Sequence, residues 1–185
     1  MGKLVYTGIM SLDGYTEDAE GSFDWLEPSE EVHRFVNDLE RPLGTFLLGR
    51  RMYDVMTFWE TADAEPGQPD FVVDYASIWR DKDKVVYSRT LDEVSTARTR
   101  LEPEFDPAAV ADLKRSAERD LSVDGPNLAS TAIRAGLVDE FRQILFPVIV
   151  GGGNAYWPRD VRMDLELVDE HRFSNGARYA CYRRR

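Results

Sequence analysis

Thr45-Phe46-Leu47-Leu48-Gly49-Arg50-Arg51-Met52 reads as a buried strand that passes through one glycine straight into a helix. Met52, Val55, Met56 and Trp59 continue it at i, i+3, i+4 and i+7, the spacing of one helix face. The same junction recurs downstream. Leu121-Ser122-Val123 ends at Asp124-Gly125-Pro126, and Leu128, Ala129, Ala132 and Ile133 then mark a helix that Gly136 terminates. Upstream, Leu4 to Met10 is strand-like, and Ser29 caps a helix with Glu30 and Glu31 in its first turn and Val32, Phe35, Val36 and Leu39 as its stripe. A polar loop spans Thr61 to Pro69, after which Asp70 caps a helix using Val72, Tyr75 and Trp79. Lys84 to Ser88 and Ala97 to Leu101 read as strands, and Asp106-Pro107 opens a helix with Val110, Leu113 and Ala117 inward. Phe141 to Val150 is a long apolar strand interrupted by Pro147, where ladder bonding lapses. Leu165 to Phe173 and Ala177 to Tyr182 flank Ser174-Asn175-Gly176 as a hairpin. Alternating strands and helices predict an α/β fold: a mainly parallel central sheet, helices on both faces, and an antiparallel C-terminal hairpin.

The 185 residues, 43% hydrophobic, suit one core, so residues 1–185 are read as a single domain. No apolar run reaches membrane-spanning length, and Met1-Gly2-Lys3 leads directly into a strand, so the expected location is cytoplasmic. Cys181 is the only cysteine and His33 and His171 the only histidines, which argues against a metal centre. The formal net charge of -11 disfavours nucleic acid and anionic membranes and leaves a small-molecule substrate as the expected partner. Phosphate, if bound, must meet particular arginines.

Candidate ligand residues gather at strand ends, where open α/β sheets bind. Gly49, Arg50 and Arg51 offer helix amides and guanidinium groups to a phosphate; close packing beside two solvated arginines is the alternative. Ser88, Arg89 and Thr90 offer two hydroxyls and a cation to a ribose 2′-phosphate, or else form an ordinary turn. Gly125, Pro126 and Asn127 open a helix toward a pyrophosphate, although the full G-x-G-x-x-G pattern is absent. Asp124 repels such an anion unless it points away, and Pro126 removes one donor. Gly151 and Gly152, in a run of three glycines, permit close backbone approach to a ligand or make a flexible turn. Asp13, in Ser11-Leu12-Asp13-Gly14, is the first candidate for a catalytic and substrate-binding carboxylate, or a turn residue. Trp25 is the candidate aromatic wall, with Asp24 and Glu27 as further substrate contacts.

With these motifs in place, joined by Leu137-Val138-Asp139-Glu140 and Phe146-Pro147-Val148-Ile149-Val150-Gly151-Gly152-Gly153, the chain resembles the dihydrofolate reductase superfamily, and within it the reductase domain of the bifunctional riboflavin biosynthesis enzyme. The resemblance runs nearly end to end. It implies a dihydrofolate-reductase-like three-layer fold with eight to nine strands and an NADPH cofactor across the strand ends. Gly49, Arg50, Arg51 and Gly125 are then expected at the phosphates, Ser88, Arg89 and Thr90 at the 2′-phosphate, and Gly151 and Gly152 near the nicotinamide. The implied activity is reduction of a small heterocycle, pteridine- or folate-like, or of a pyrimidine-ribosyl compound. A non-catalytic nucleotide- or heterocycle-binding protein of the same fold is the alternative. Relatives often pair, so a homodimer is expected.

Overall fold

The computed structural model describes residues 1–26 and 28–185; Glu27 lies outside the described residues. Along the chain run β1 (Leu4–Ser11), β2 (Tyr15–Glu17), α1 (Glu30–Glu40), β3 (Thr45–Gly49), α2 (Arg50–Met56), α3 (Asp70–Asp81), β4 (Asp83–Tyr87) and β5 (Thr99–Glu102). Next come α4 (Pro107–Ser116), β6 (Leu121–Asp124), α5 (Pro126–Arg134), β7 (Glu140–Phe146), β8 (Asn154–Ala155), β9 (Leu165–Arg172) and β10 (Arg178–Arg184).

Eight strands form one sheet in the order β5-β4-β3-β6-β1-β7-β10-β9. Pairing is parallel from β5 to β7, and β10 then pairs antiparallel with both β7 and β9. Side chains alternate across it, as the period of two requires. Leu4, Tyr6, Leu47 and Val123 turn to one face, against Val110 of α4 and Ala129, Ala132 and Ile133 of α5. Val5, Phe46, Leu48 and Val86 turn to the other, against Tyr53 of α2 and Tyr75 and Trp79 of α3. Val32 of α1 continues that second layer over Ile144 and Phe146 of β7. Three layers result.

Local signals place the helices. Ser29 Oγ accepts from Val32 N–H at 3.4 Å, and Asp106 accepts from Ala108 N–H at 2.9 Å. Asp70 is not a cap: Pro69 occupies that position, and Asp70 is the first helical residue, where its charge complements the helix dipole. The strand expected from Phe141 to Val150 stops at Phe146, because Pro147 has no N–H to give and Val148 N–H turns back to Phe146 O at 2.8 Å. After two turns α2 tightens into a 3-10 turn at Thr57–Glu60, which leaves Val55 47% exposed instead of sealed in the stripe. An unforeseen ribbon pairs β2 with β8, Tyr15 opposite Ala155 and Glu17 opposite Asn154. No helix among the described residues is long and apolar enough to cross a membrane.

Candidate active site

Register builds the site. Leu48 lies opposite Asp124 in the β3–β6 ladder, so Gly49 and Gly125, one residue further on, are neighbours. Gly49 lies opposite Tyr87 in the β3–β4 ladder, which brings the turn at Ser88, Arg89 and Thr90 beside Arg50. Arg50 Nη1 donates to Thr90 Oγ1 at 2.6 Å. Helices α2 and α5 start at these ends without a side-chain cap or an acidic residue in the first turn, unlike α1 with its Ser29 cap and two glutamates. Their first-turn amides are left for another acceptor. Gly125 has φ +92°, and a Cβ there meets Met52 Cβ at 3.4 Å, so the turn calls for glycine.

Behind these ends opens a cavity of about 500 Å³ lined by Gly49, Arg50, Arg51, Gly125, Pro126 and Asn127. Ile9, Phe23, Leu26, Val36, Met52 and Met56 give it apolar walls. A shallower depression of about 630 Å³, bounded by Asp18 to Gly21 and by Gly153, shares Glu17, Arg51, Asn127 and Asn154 with it. The two form one groove across the strand ends.

Arg51 already has a partner: its guanidinium meets Glu17 at 3.0 and 2.8 Å, and Asn154 Nδ2 donates to the same carboxylate at 3.0 Å. The Arg51 side chain is 70% exposed, so this pair stabilises by at most about 1 kcal/mol and an incoming anion can draw the arginine away. Ser88 Oγ accepts from the N–H groups of Thr90 and Leu91 at 3.2 and 3.0 Å and so caps its own turn. Arg89 meets Glu104 at 2.9 Å on the surface.

Asp13 stands outside the cavity lining. Its carboxylate accepts from Gly151 N–H at 2.8 Å and Val150 N–H at 3.2 Å, tying the 150–151 turn to the end of β1. The Ser11 hydroxyl and those two amides hold its pKa below the usual carboxylate value. Gly151 and Gly152 have open space beside them, and neither lines the groove, although Gly153 does. Trp25 packs on the Val32, Ile144 and Phe146 cluster; the tight turn closed by Leu26 N–H to Phe23 O at 2.8 Å puts Phe23 and Leu26 on the cavity instead. Asp24 is exposed on that turn. The Glu27 candidate lies outside the described residues.

Three acids line the cavity without having been singled out as ligands: Glu17, described above with Arg51, and Glu40 and Asp124. Glu40, 5% exposed, has its pKa pushed up to about 7 by burial, against the pull of Arg142 and Lys82. Asp124 is raised well above the usual value by burial and then by Glu40, while the Ser122 hydroxyl, donating at 2.5 Å, opposes this. The signal for Glu40 was its spacing: Val32, Val36 and Glu40 fall at i, i+4 and i+8, on the inward face of α1. Its proton is favoured by the fold, so its contribution to stability is complete below the ordinary value of 4.5 and is lost as pH rises through about 7. The loss is up to about 3 kcal/mol. Urea melts at pH 5 and pH 8.5 are expected to show a smaller alkaline loss for Glu40→Gln than for the unchanged protein; equal losses contradict the assignment.

Among the described residues, no group of three or more histidine, cysteine or acidic side chains is placed to hold a metal. Residues 2–178 match the RibD C-terminal domain. The chain belongs to the RibD C-terminal domain family. Bacillus subtilis (strain 168) has a relative, the uncharacterized protein YyaP, 30% identical over 185 residues, spanning 97% of this chain and 94% of that one. Among solved structures, a Shewanella sp. PV-4 protein assigned provisionally to riboflavin biosynthesis superposes with a TM-score of 0.74 at 22% identity, covering 100% of this chain and 99% of its own. Acinetobacter baumannii RibD superposes at 0.71 and 17% identity, this chain in full covering 58% of it. Enterococcus faecalis dihydrofolate reductase, complexed with NADP(H) and RAB-propyl, gives 0.64 at 15% identity, covering 99% of this chain and 96% of that one. The RibD C-terminal domain family member thus has a dihydrofolate-reductase-like fold.

Proposed function

We propose that the protein is an NADPH-dependent reductase of a small heterocycle, pteridine- or folate-like or a pyrimidine-ribosyl compound. The observation that carries this reading is the groove in which Gly49 and Gly125 lie side by side, two helices start uncapped, and Arg50 and Arg51 supply positive charge. That donor set fits a phosphorylated dinucleotide. When bound, NADPH supplies the hydride. Arg50, Arg51 and the free amides of Asn127 and Leu128 hold the pyrophosphate, and Ser88, Arg89 and Thr90 surround the 2′-phosphate. Gly151 and Gly152 serve the nicotinamide end. Asp13 acts by positioning their turn through its two amide contacts. Burial, and then Glu40, raises the Asp124 pKa, which weakens its repulsion of the pyrophosphate. Apolar Phe23, Leu26 and Val36 exclude water from the ring.

The sequence carries four tryptophans, and their quenching reports binding. NADPH is expected to bind more tightly than NADH, and Arg89→Ala to remove most of that preference, about tenfold or 1.4 kcal/mol. Equal affinities for the two cofactors in the unchanged protein overturn the 2′-phosphate assignment. The net charge of -11 fits a small-molecule partner in a cytoplasmic setting. Pairing into a homodimer has a candidate surface in edge strand β9, where Leu167 and Val168 are exposed; sedimentation at the mass of one chain contradicts it.

A further inference from the structure

Residues 88–98 cross from β4 to β5 outside any helix or strand, so their backbone amides need partners other than a ladder. At the near end, Ser88 N–H donates to Glu102 O at 3.0 Å, and Ser88 Oγ takes the amides of Thr90 and Leu91. The far end is held by one buried side chain of α2. Tyr53, 2% exposed, accepts through its hydroxyl oxygen from Ser95 N–H at 2.8 Å and Thr96 N–H at 3.2 Å. Two successive N–H groups aimed at one point make a concavity for an acceptor. The Thr96 and Ser95 hydroxyls lie 3.2 and 3.4 Å from the same oxygen, and Thr96 Oγ1 continues the connection to Thr99 Oγ1 of β5 at 2.7 Å. Ala97 N–H adds a bond of 3.1 Å to Glu60, in the 3-10 turn that follows α2.

The ring of Tyr53 packs among Phe46, Leu48 and Val86, a role that phenylalanine fills equally well. Its hydroxyl serves the segment instead. Arg50, three residues earlier on the same helix, holds Thr90 at 2.6 Å. One helix therefore grips the segment at both ends, and the same helix carries Arg50 and Arg51 into the groove. Arg89 lies between these grips. Its pair with Glu104 is solvent-exposed on both sides and weak, so the direction of its guanidinium is left to the backbone of the turn.

We propose that Tyr53 is a positioning residue for cofactor choice: its hydroxyl holds residues 95–96 against α2 and so fixes Ser88, Arg89 and Thr90 at the distance from Arg50 and Arg51 that separates the 2′-phosphate of NADPH from its pyrophosphate. This rests on the NADPH reading above. Tyr53 stands outside the cavity lining and acts through the turn. Phenylalanine in its place keeps the packing and leaves two amides, one of them on buried Thr96, without their acceptor, so the segment shifts to satisfy them.

The test measures dissociation constants of NADPH and NADH for the full chain by tryptophan quenching, in the unchanged protein, Tyr53→Phe, Arg89→Ala and the double variant. Tyr53→Phe is expected to weaken NADPH about tenfold and NADH less than about twofold. The double variant is expected to bind NADPH no more weakly than Arg89→Ala alone, because both changes remove the same contact. Tyr156→Phe also strips a buried phenol hydroxyl, on the other face of the sheet, and is expected to keep the preference, which separates positioning from a general loss of stability. A second measurement needs no variant: in the unchanged protein, adenosine 2′,5′-bisphosphate is expected to slow hydrogen exchange at the Ser95 and Thr96 amides, and AMP is not, since a ligand held by the turn and the Tyr53 contact stabilise each other. Equal weakening of NADPH and NADH in Tyr53→Phe, a retained preference, additive losses in the double variant, or the same exchange with both adenosine phosphates overturns the proposal. The two failures are distinguishable. If the unchanged protein prefers NADPH and Tyr53→Phe keeps that preference, only the Tyr53 assignment is lost; if the unchanged protein binds the two cofactors equally or binds neither, the reading beneath it fails as well.

Discussion

Tyr156→Ala is expected to lower the free energy of unfolding by about 4 kcal/mol, the upper range for deleting a buried aromatic side chain. Tyr156 is 0% exposed, stacks on Tyr6 with ring centroids 4.2 Å apart, and meets Trp157 edge-on at 4.9 Å. The two tyrosines also exchange hydrogen bonds: Tyr156 O–H donates to Tyr6 O at 3.1 Å, and Tyr6 O–H donates to Tyr156 O at 3.3 Å. Gly8 makes room for the ring, since a Cβ at that position sits 2.7 Å from it. Truncation therefore leaves both a cavity and unpaired polar groups beside β1, the strand that carries Tyr6, Thr7, Gly8 and Ile9 into the site. Tyr156→Phe keeps the stack and is expected to cost about 1 kcal/mol. Urea denaturation checks both; a loss under 1 kcal/mol for Tyr156→Ala contradicts the packing account.

Gly153→Ala is expected to cost about 3 kcal/mol and to open the ribbon of β2 and β8. At Gly153, φ is +130°, and an added Cβ falls 2.0 Å from Glu17 O and 2.6 Å from the carbonyl carbon of Asp18. Backbone must move, and Glu17 then loses Asn154 and its grip on Arg51. Gly152→Ala is the internal control, because nothing lies within 4 Å of its added Cβ and its φ is not positive; its cost is expected below about 0.5 kcal/mol. Hydrogen exchange at residues 15–17 and the melting temperature distinguish the two. Equal behaviour of the two variants shows that the close approach at Gly153 is not what the glycine serves.

These two glycines illustrate how far the chain could be read unfolded. Strand-to-helix junctions at Gly49 and Gly125 were legible because apolar strands and helical stripes have different periods and glycine marks the change. The hairpin around Ser174-Asn175-Gly176 was legible from its turn chemistry. Strands β2 and β8, three and two residues long, are too short to show a period, so the partner that makes Gly153 necessary was invisible. Trp25 and Phe23 differ only in which side of a tight turn they occupy, a choice made by tertiary packing. The protonation of Glu40 and Asp124 depends on burial by residues far away in the chain, which no local pattern encodes.

The most direct test of the shared groove is amide chemical-shift mapping of 15N-labelled protein titrated with NADPH. The amides of Gly49 to Met52 and of Gly125, Asn127 and Leu128 are expected to shift together with one midpoint, followed by those of the turn at Ser88 to Thr90. Shifts confined to other surfaces, or a saturating titration that leaves the starts of α2 and α5 unmoved, contradict the account.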